Sequence, residues 1–214
     1  MKKTSKALLL MLCAVLLVAA SVLGTMAYLT STDEVVNTFT VGKVQIKLDE
    51  AKANADGTLV QGADRVKANS YKLLPGHTYN KDPMVTVLEG SESAYIKMTV
   101  TFSKAAELDD IFAPNGADMT SIFNGYDSTN WTYKGNTKDT NANTRTYEFW
   151  YKEAVAATNA DVALDALFDS ITIPGTINNT QLDTIKGMTI TVNAYAIQAD
   201  GFTDANAAWT AYAG

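Results

Sequence analysis

The side chains that could do chemistry are few. The chain holds one histidine, His77, in the stretch LLPGHTYNKDP, and one cysteine, Cys13, inside an apolar run. A zinc protease of the helical kind needs two histidines at i and i+4 around a glutamate, and a single histidine cannot supply them. A histidine-based triad would have to use His77, and no serine sits in a GxSxG elbow for it to activate. His77 therefore reads as a turn residue beside a strand. The carboxylates fall into two groups. Asp109 and Asp110 are adjacent near the start of a helical pattern, where negative charge suits the dipole. Asp161, Asp165 and Asp169 lie four apart and read as a solvated helix face. Neither group has the alternating spacing of a calcium loop, and glycosidase-type pairing is spatial rather than sequential. Trp131, Trp150 and Trp209, with 10 tyrosines, suit a sugar-stacking face or a core. These residues assign no catalytic group, no metal ligand and no cofactor, and the expectation is a protein that is not an enzyme.

The elements that must position these side chains read as β-rich. KVQIKL (43–48) alternates Val44, Ile46 and Leu48 with Lys43, Gln45 and Lys47. YIKMTVTF (95–102), RTYEFWY (145–151) and MTITVNAYAI (188–197) follow the same period of two, which marks sheets with one buried and one wet face. NADG (54–57), LPGH (74–77) and LEGSES (88–93) supply turns, and Pro83 opens the strand PMVTVL. Helical spacing appears in AAELDDIF, in NADVALDALFDS (159–170) through Leu164, Leu167 and Phe168, and in the C-terminal GFTDANAAWTAYAG with Thr203 or Asp204 as cap. Residues 104–144 have weak periodicity and read as an insertion of loops around a short helix. The expected fold class is mainly β: an antiparallel β-sandwich with a few short helices in insertions and a C-terminal helix.

Length and charge set limits. The chain has 214 residues, 47% hydrophobic and 19% charged, which suits one domain able to bury a core without metal or disulfide. Removing residues 1–27 takes away three of the 17 basic groups and none of the 23 acidic ones, leaving a net charge of −9. So acidic a surface repels phosphate backbones and anionic lipid, so nucleic acid is not expected as a partner. The basic start (Lys2, Lys3, Lys6), the run ALLLMLCAVLLVAASVLG and the small residues Gly24, Thr25 and Ala27 form a signal-peptide pattern with a cut between Ala27 and Tyr28. Ala20 offers a second cut. The run from Ala7 to Leu29 carries no charge and is long enough to span a bilayer if retained, in which case the membrane is met only through this uncleaved segment.

Three stretches carry a family resemblance. LGTMAYLTSTDEVVNTFTVGKVQIKLDE resembles the start of the TasA/camelysin family of exported proteins, with Gly24, Thr25, Ala27 and Tyr28 matching the exit and Asn37, Thr38, Phe39 and Gly42 following. LLPGHTYNKDPMVTVLEGSESAYIKMTV is similar to the family's turn and next strands through Pro75, Gly76, Lys81, Asp82 and Pro83. VNAYAIQADGFTDANAAW resembles the ending of members from Gram-positive bacteria. The match covers about a third of the chain and leaves residues 104–180 uncovered. The resemblance implies a jelly-roll domain over 28–214 with an insertion around 104–180, processing by an ER-type signal peptidase, and secretion to the extracellular matrix or cell surface. In the TasA branch it implies self-association into biofilm fibres by a donated N-terminal strand, for which Tyr28, Leu29, Val35, Val36 and Phe39 are the candidates. Two alternatives stand beside it: a camelysin-like surface metalloprotease, and an adhesin binding through the 104–144 loops.

Overall fold

In a computed structural model, the described residues are 42–112 and 122–213, together with Lys6, Leu8 and residues 10–18. The chain divides into two units, 1–41 and 42–214. In the first, residues 10–18 are helical, and their apolar side chains, among them Leu12, Leu16 and Leu17, are exposed. Among the described residues no helix is long and apolar enough to cross a membrane.

The second unit is mainly β, with antiparallel sheets and a few short helices. Its strands are β1 (Ile46–Asp49), β2 (Thr78–Asn80), β3 (Met84–Val87), β4 (Ser91–Ser103), β5 (Phe123–Asn124), β6 (Trp131–Asp139), β7 (Thr144–Tyr151), β8 (Val155–Ala157), β9 (Val162–Ala163), β10 (Ser170–Thr172) and β11 (Ile190–Gln198). The helices are α1 (Ala105–Phe112), α2 (Asn179–Thr184) and α3 (Ala205–Ala213). The largest sheet runs β11-β4-β7-β6, with β8 also on β4, and two three-stranded sheets run β1-β3-β9 and β2-β10-β5.

β4 organises the core. Its alternation puts Ala94, Ile96, Met98, Val100 and Phe102 inward, none more than 2% exposed. β11 pairs with it from Ala94 to Phe102, and the opposite edge takes β7 from Lys97 to Ser103 and β8 at Ser91 and Ala94. One apolar cluster draws on all three sheets, including Val85 and Val87 of β3 and Ile171 of β10. Phe123 sits at its centre, with ring centroids 5.3 Å from Tyr147, 5.8 Å from Phe102 and Phe149, and 4.5 Å from Phe168.

Two expectations are corrected. Residues 159–170 are not helical. The backbone there bonds to β3, Leu164 N–H donating to Val85 O and Leu167 N–H to Pro83 O, so pairing with a distant strand wins over local helical bonds. Leu164, Leu167 and Phe168 are all buried, which yields helix-like spacing without a helix. Asp161, Asp165 and Asp169 accordingly form no common face: Asp161 accepts from Glu89 N–H at 2.8 Å, and Asp165 from Asn130 Nδ2 at 2.9 Å. Residues 104–144 are not an insertion of loops either. They contain α1 and also β6, which forms a hairpin with β7 at the margin of the largest sheet. Of the three tryptophans, Trp131 belongs to the core, at 1% exposure. Trp150 and Trp209 meet on the other face with rings tilted by 44° and centroids 6.3 Å apart, where Lys97 Nζ lies 4.6 Å from the Trp209 ring and helps hold α3 down. Asp204 is the cap of α3, accepting from Ala207 N–H at 2.8 Å.

Phe149 is fully buried against Phe123, Tyr126 and Tyr133. Phe149→Ala is expected to lower unfolding stability by about 3–5 kcal/mol, read as a shift of the urea midpoint. Thr132→Ala, on the exposed margin of β6, is the control and should shift it little.

Candidate functional site: an unpaired sheet edge

The largest sheet ends in two strands of opposite character. β6 is blunted: its register with β7 shifts between Tyr133 and Gly135, Gly135 has φ +121°, and Lys134, Lys138 and Asp139 line it. Bulges and charges of this kind discourage further pairing. β11 reads ITVNAYAIQ, without charge, glycine or proline. Ser103 N–H donates to Thr189 O, and Ala199 N–H to Ser93 O, so odd-numbered positions bond to β4. Alternation then turns the N–H and C=O groups of Ile190, Val192, Ala194 and Ala196 to the free edge. Among the described residues no strand pairs with them.

The side chains of the same four residues point to the core yet are only half-buried. Beside β11 lies β1, the end strand of another sheet, without pairing to it. Its row of Val44, Ile46 and Leu48 is likewise half-buried. The two sheets thus leave an apolar seam between β1 and β11. Two adjoining clefts, of about 760 and 380 Å³, open along the start of β11 and share Asn69, Lys81 and Ile190 in their walls. Tyr71, Leu73 and Met188 line the larger, and Leu48, Pro83 and Val192 the smaller. An unpaired edge over a half-covered apolar row can accept an extended peptide, whose backbone would complete the ladder while alternate side chains fill the seam.

The wall opposite β11 is the excursion from residue 51 to 77, and it is fixed by ion pairs. Arg65 bridges two carboxylates, with Nε 2.6 Å from Asp49 Oδ1 and Nη1 2.8 Å from Asp82 Oδ2, and Nη2 donates to Asp82 O at 2.7 Å. Asp82 Oδ1 accepts from Ala51 N–H at 2.6 Å, and Glu50 and Val66 exchange backbone bonds at 2.9 and 2.7 Å. Burial pushes the Asp49 carboxyl up, but Lys47 and Arg65 outweigh it and hold the group below the ordinary carboxylate range. Burial, with the Glu50 charge next to it, pushes the Tyr71 phenol well up, so it stays protonated and donates to Asn80 O at 2.6 Å.

The residues singled out by motif are divided by this arrangement. Gly24, Thr25, Ala27, Tyr28, Leu29, Val35, Val36, Asn37, Thr38 and Phe39 lie outside the described residues. Gly42 lies against Glu92, whose Cγ would come within 2.8 Å of an added Cβ. Pro75 and Gly76 make the turn before β2, with Gly76 at φ +74° and its N–H donating to Ile173 O. Lys81, Asp82 and Pro83 come together with Asp49, Glu50 and Arg65 at the wall of the clefts. His77 is exposed in its turn, and among the described residues no group of three or more His, Cys, Asp or Glu is placed to hold a metal ion. The free edge of β11 and the Asp49–Arg65–Asp82 bridge were not picked out from sequence. The uncharged run of β11 was the available signal for the edge.

Because the Asp49 carboxyl is held low in the folded chain, its contribution to stability is complete above the unfolded value near 4 and is lost as pH falls through the folded value. Arg65→Met is expected to cost about 1–2 kcal/mol at pH 7, because Asp49 keeps Lys47 as a partner and the lost guanidinium is partly solvated. The difference between variant and wild type should shrink as pH falls below about 4, as measured by urea unfolding at successively lower pH. No family model, no curated protein and no solved structure matches the chain.

Proposed function

We propose that the chain is an exported structural protein, a subunit of an extracellular fibre or matrix joined to its neighbours by strand addition. In this reading the apolar start is removed between Ala27 and Tyr28 by an ER-type signal peptidase. The segment that follows, with Tyr28, Leu29, Val35, Val36 and Phe39, then lies along β11 of the next subunit. In this reading the domain is a jelly-roll-like sandwich, which its antiparallel sheets support, with the seam between β1 and β11 as its gap. The observation that carries the reading is the contrast between the blunted β6 edge and the uncharged β11 edge, unpaired among the described residues, with its half-buried row. The acidic surface left after processing fits a protein that stays soluble until its edge is filled.

The test uses the processed chain beginning at Tyr28, imaged by negative-stain electron microscopy and sized by light scattering. Filaments are expected, and deletion of residues 28–40 should leave folded monomers. Ala194→Pro removes one outward N–H without touching the β4 ladder, so it should abolish filaments with little change in unfolding midpoint. A processed chain that remains monomeric at every concentration, or filaments that survive both changes, would sink the reading.

A further inference from the structure

The buried polar group at the mouth of the clefts is more than an ion pair. Lys81 and Glu50 are 8% and 5% exposed, and Lys81 Nζ lies 2.5 Å from Glu50 Oε2. The other oxygen, Oε1, accepts from Asn69 Nδ2 at 3.0 Å. One carboxylate therefore holds an amine on one oxygen and a carboxamide on the other. The Asn69 amide has a single orientation that satisfies all its bonds: Nδ2 also donates to Ala51 O at 2.8 Å, and Oδ1 accepts from Ala53 N–H at 2.9 Å. Among the described residues Glu50 is the only hydrogen-bond partner of the Lys81 amine.

These are the parts of an acyl transfer. The amine is the nucleophile, the Asn69 Cγ the electrophile, the Ala53 N–H a donor to the oxygen on which charge develops, and Glu50 a carboxylate in contact with both nitrogens. We propose that Lys81 and Asn69 condense, with Glu50 as proton shuttle, into an intramolecular side-chain amide with release of ammonia. A proton passes from the Lys81 ammonium to Glu50 Oε2, which replaces two buried charges by a neutral amine and a neutral acid. The freed Nζ lone pair attacks Asn69 Cγ, and the carbonyl electrons move to Oδ1, held by Ala53 N–H. Glu50 gives its proton to Nδ2 and takes one from Nζ. The tetrahedral centre collapses, the Cγ–Nδ2 bond breaks, and ammonia leaves. The products are a secondary amide between Nζ and Cγ, one ammonia and a protonated Glu50, so hydrogens and charge balance without oxidant, metal or cofactor. Both clefts open onto Asn69 and Lys81, giving ammonia a way out. Holding amine and amide on one carboxylate replaces a bimolecular encounter with an internal one, the largest aid available to so slow a reaction. The cross-link would fasten the excursion at residue 69 to the β2–β3 junction at residue 81, in a unit with no cysteine for a disulfide.

Intact-mass spectrometry of the purified full chain, with its N-terminus fixed by peptide mapping, reads the reaction directly. The wild type is expected to be one ammonia lighter than its sequence, and proteolysis should release a branched peptide joining Lys81 to Asn69. Glu50→Gln, Lys81→Arg and Asn69→Ala should each have the full sequence mass, with folding checked by circular dichroism. Wild type at full mass overturns the proposal. So does an ammonia loss without the branched peptide, as from a succinimide elsewhere, or a loss of water that joins Lys81 to Glu50 itself. A cross-link that persists in Glu50→Gln overturns the shuttle. Should the variants fail to fold, the wild-type mass and branched peptide still decide.

Discussion

A strand has two edges, and β4 uses both. β11 runs along one from Ala94 to Phe102, and β7 and β8 share the other. The rest of the unit depends on that double pairing. It buries Ile96, Met98 and Val100 completely and gives Phe102, Tyr147 and Phe149 a common face on which Phe123 closes the core. It also makes β11 terminal. Having spent one edge on β4, β11 must show the other to whatever lies beside it, and what lies beside it is β1, which bonds to β3 instead.

The excursion between β1 and β2 is the nearest chain that could have covered that edge, and charge keeps it elsewhere. Arg65 and Val66 attach it to the end of β1 through Asp49, Glu50 and Asp82, and Lys67 Nζ reaches Leu48 O. A partly buried bridge of this kind adds little net stability over a packed apolar equivalent, but it is unforgiving about geometry. It fixes where the loop lies.

The sequence shows the strands whose faces differ and conceals what long-range pairing decides. KVQIKL, YIKMTVTF, RTYEFWY and MTITVNAYAI become β1, β4, β7 and β11 within a few residues, because alternation records which face is wet. α1 and α3 stand where their spacing puts them. Residues 159–170 mislead because three buried side chains at positions 164, 167 and 168 fit a helix as well as a chain winding past β3. β6 escapes notice because an edge strand built to refuse partners is polar and carries a glycine bulge, which reads as loop. In the candidate site, Lys81 and Asp82 are visible as a motif, but their partners are not. Glu50, Arg65 and Asn69 lie 12 to 31 residues away from them, distances at which no local pattern survives.

The edge and the buried amine meet at one wall. Asn69, Lys81 and Ile190 line both clefts, so whatever orders Asn69 also orders one side of the groove along β11. A peptide that adds to an edge loses affinity for every acceptor residue it must immobilise. Ion pairs and hydrogen bonds lower that cost by holding the wall beforehand, yet each can open and close on its own. An amide between Lys81 and Asn69 would remove the opening altogether, because separating the excursion from the β2–β3 junction would then require breaking a covalent bond. In the proposed assembly along β11, such a wall would keep the groove in shape while load passed through the donated strand. A reversible ion pair of the same residues would let the groove open under that load.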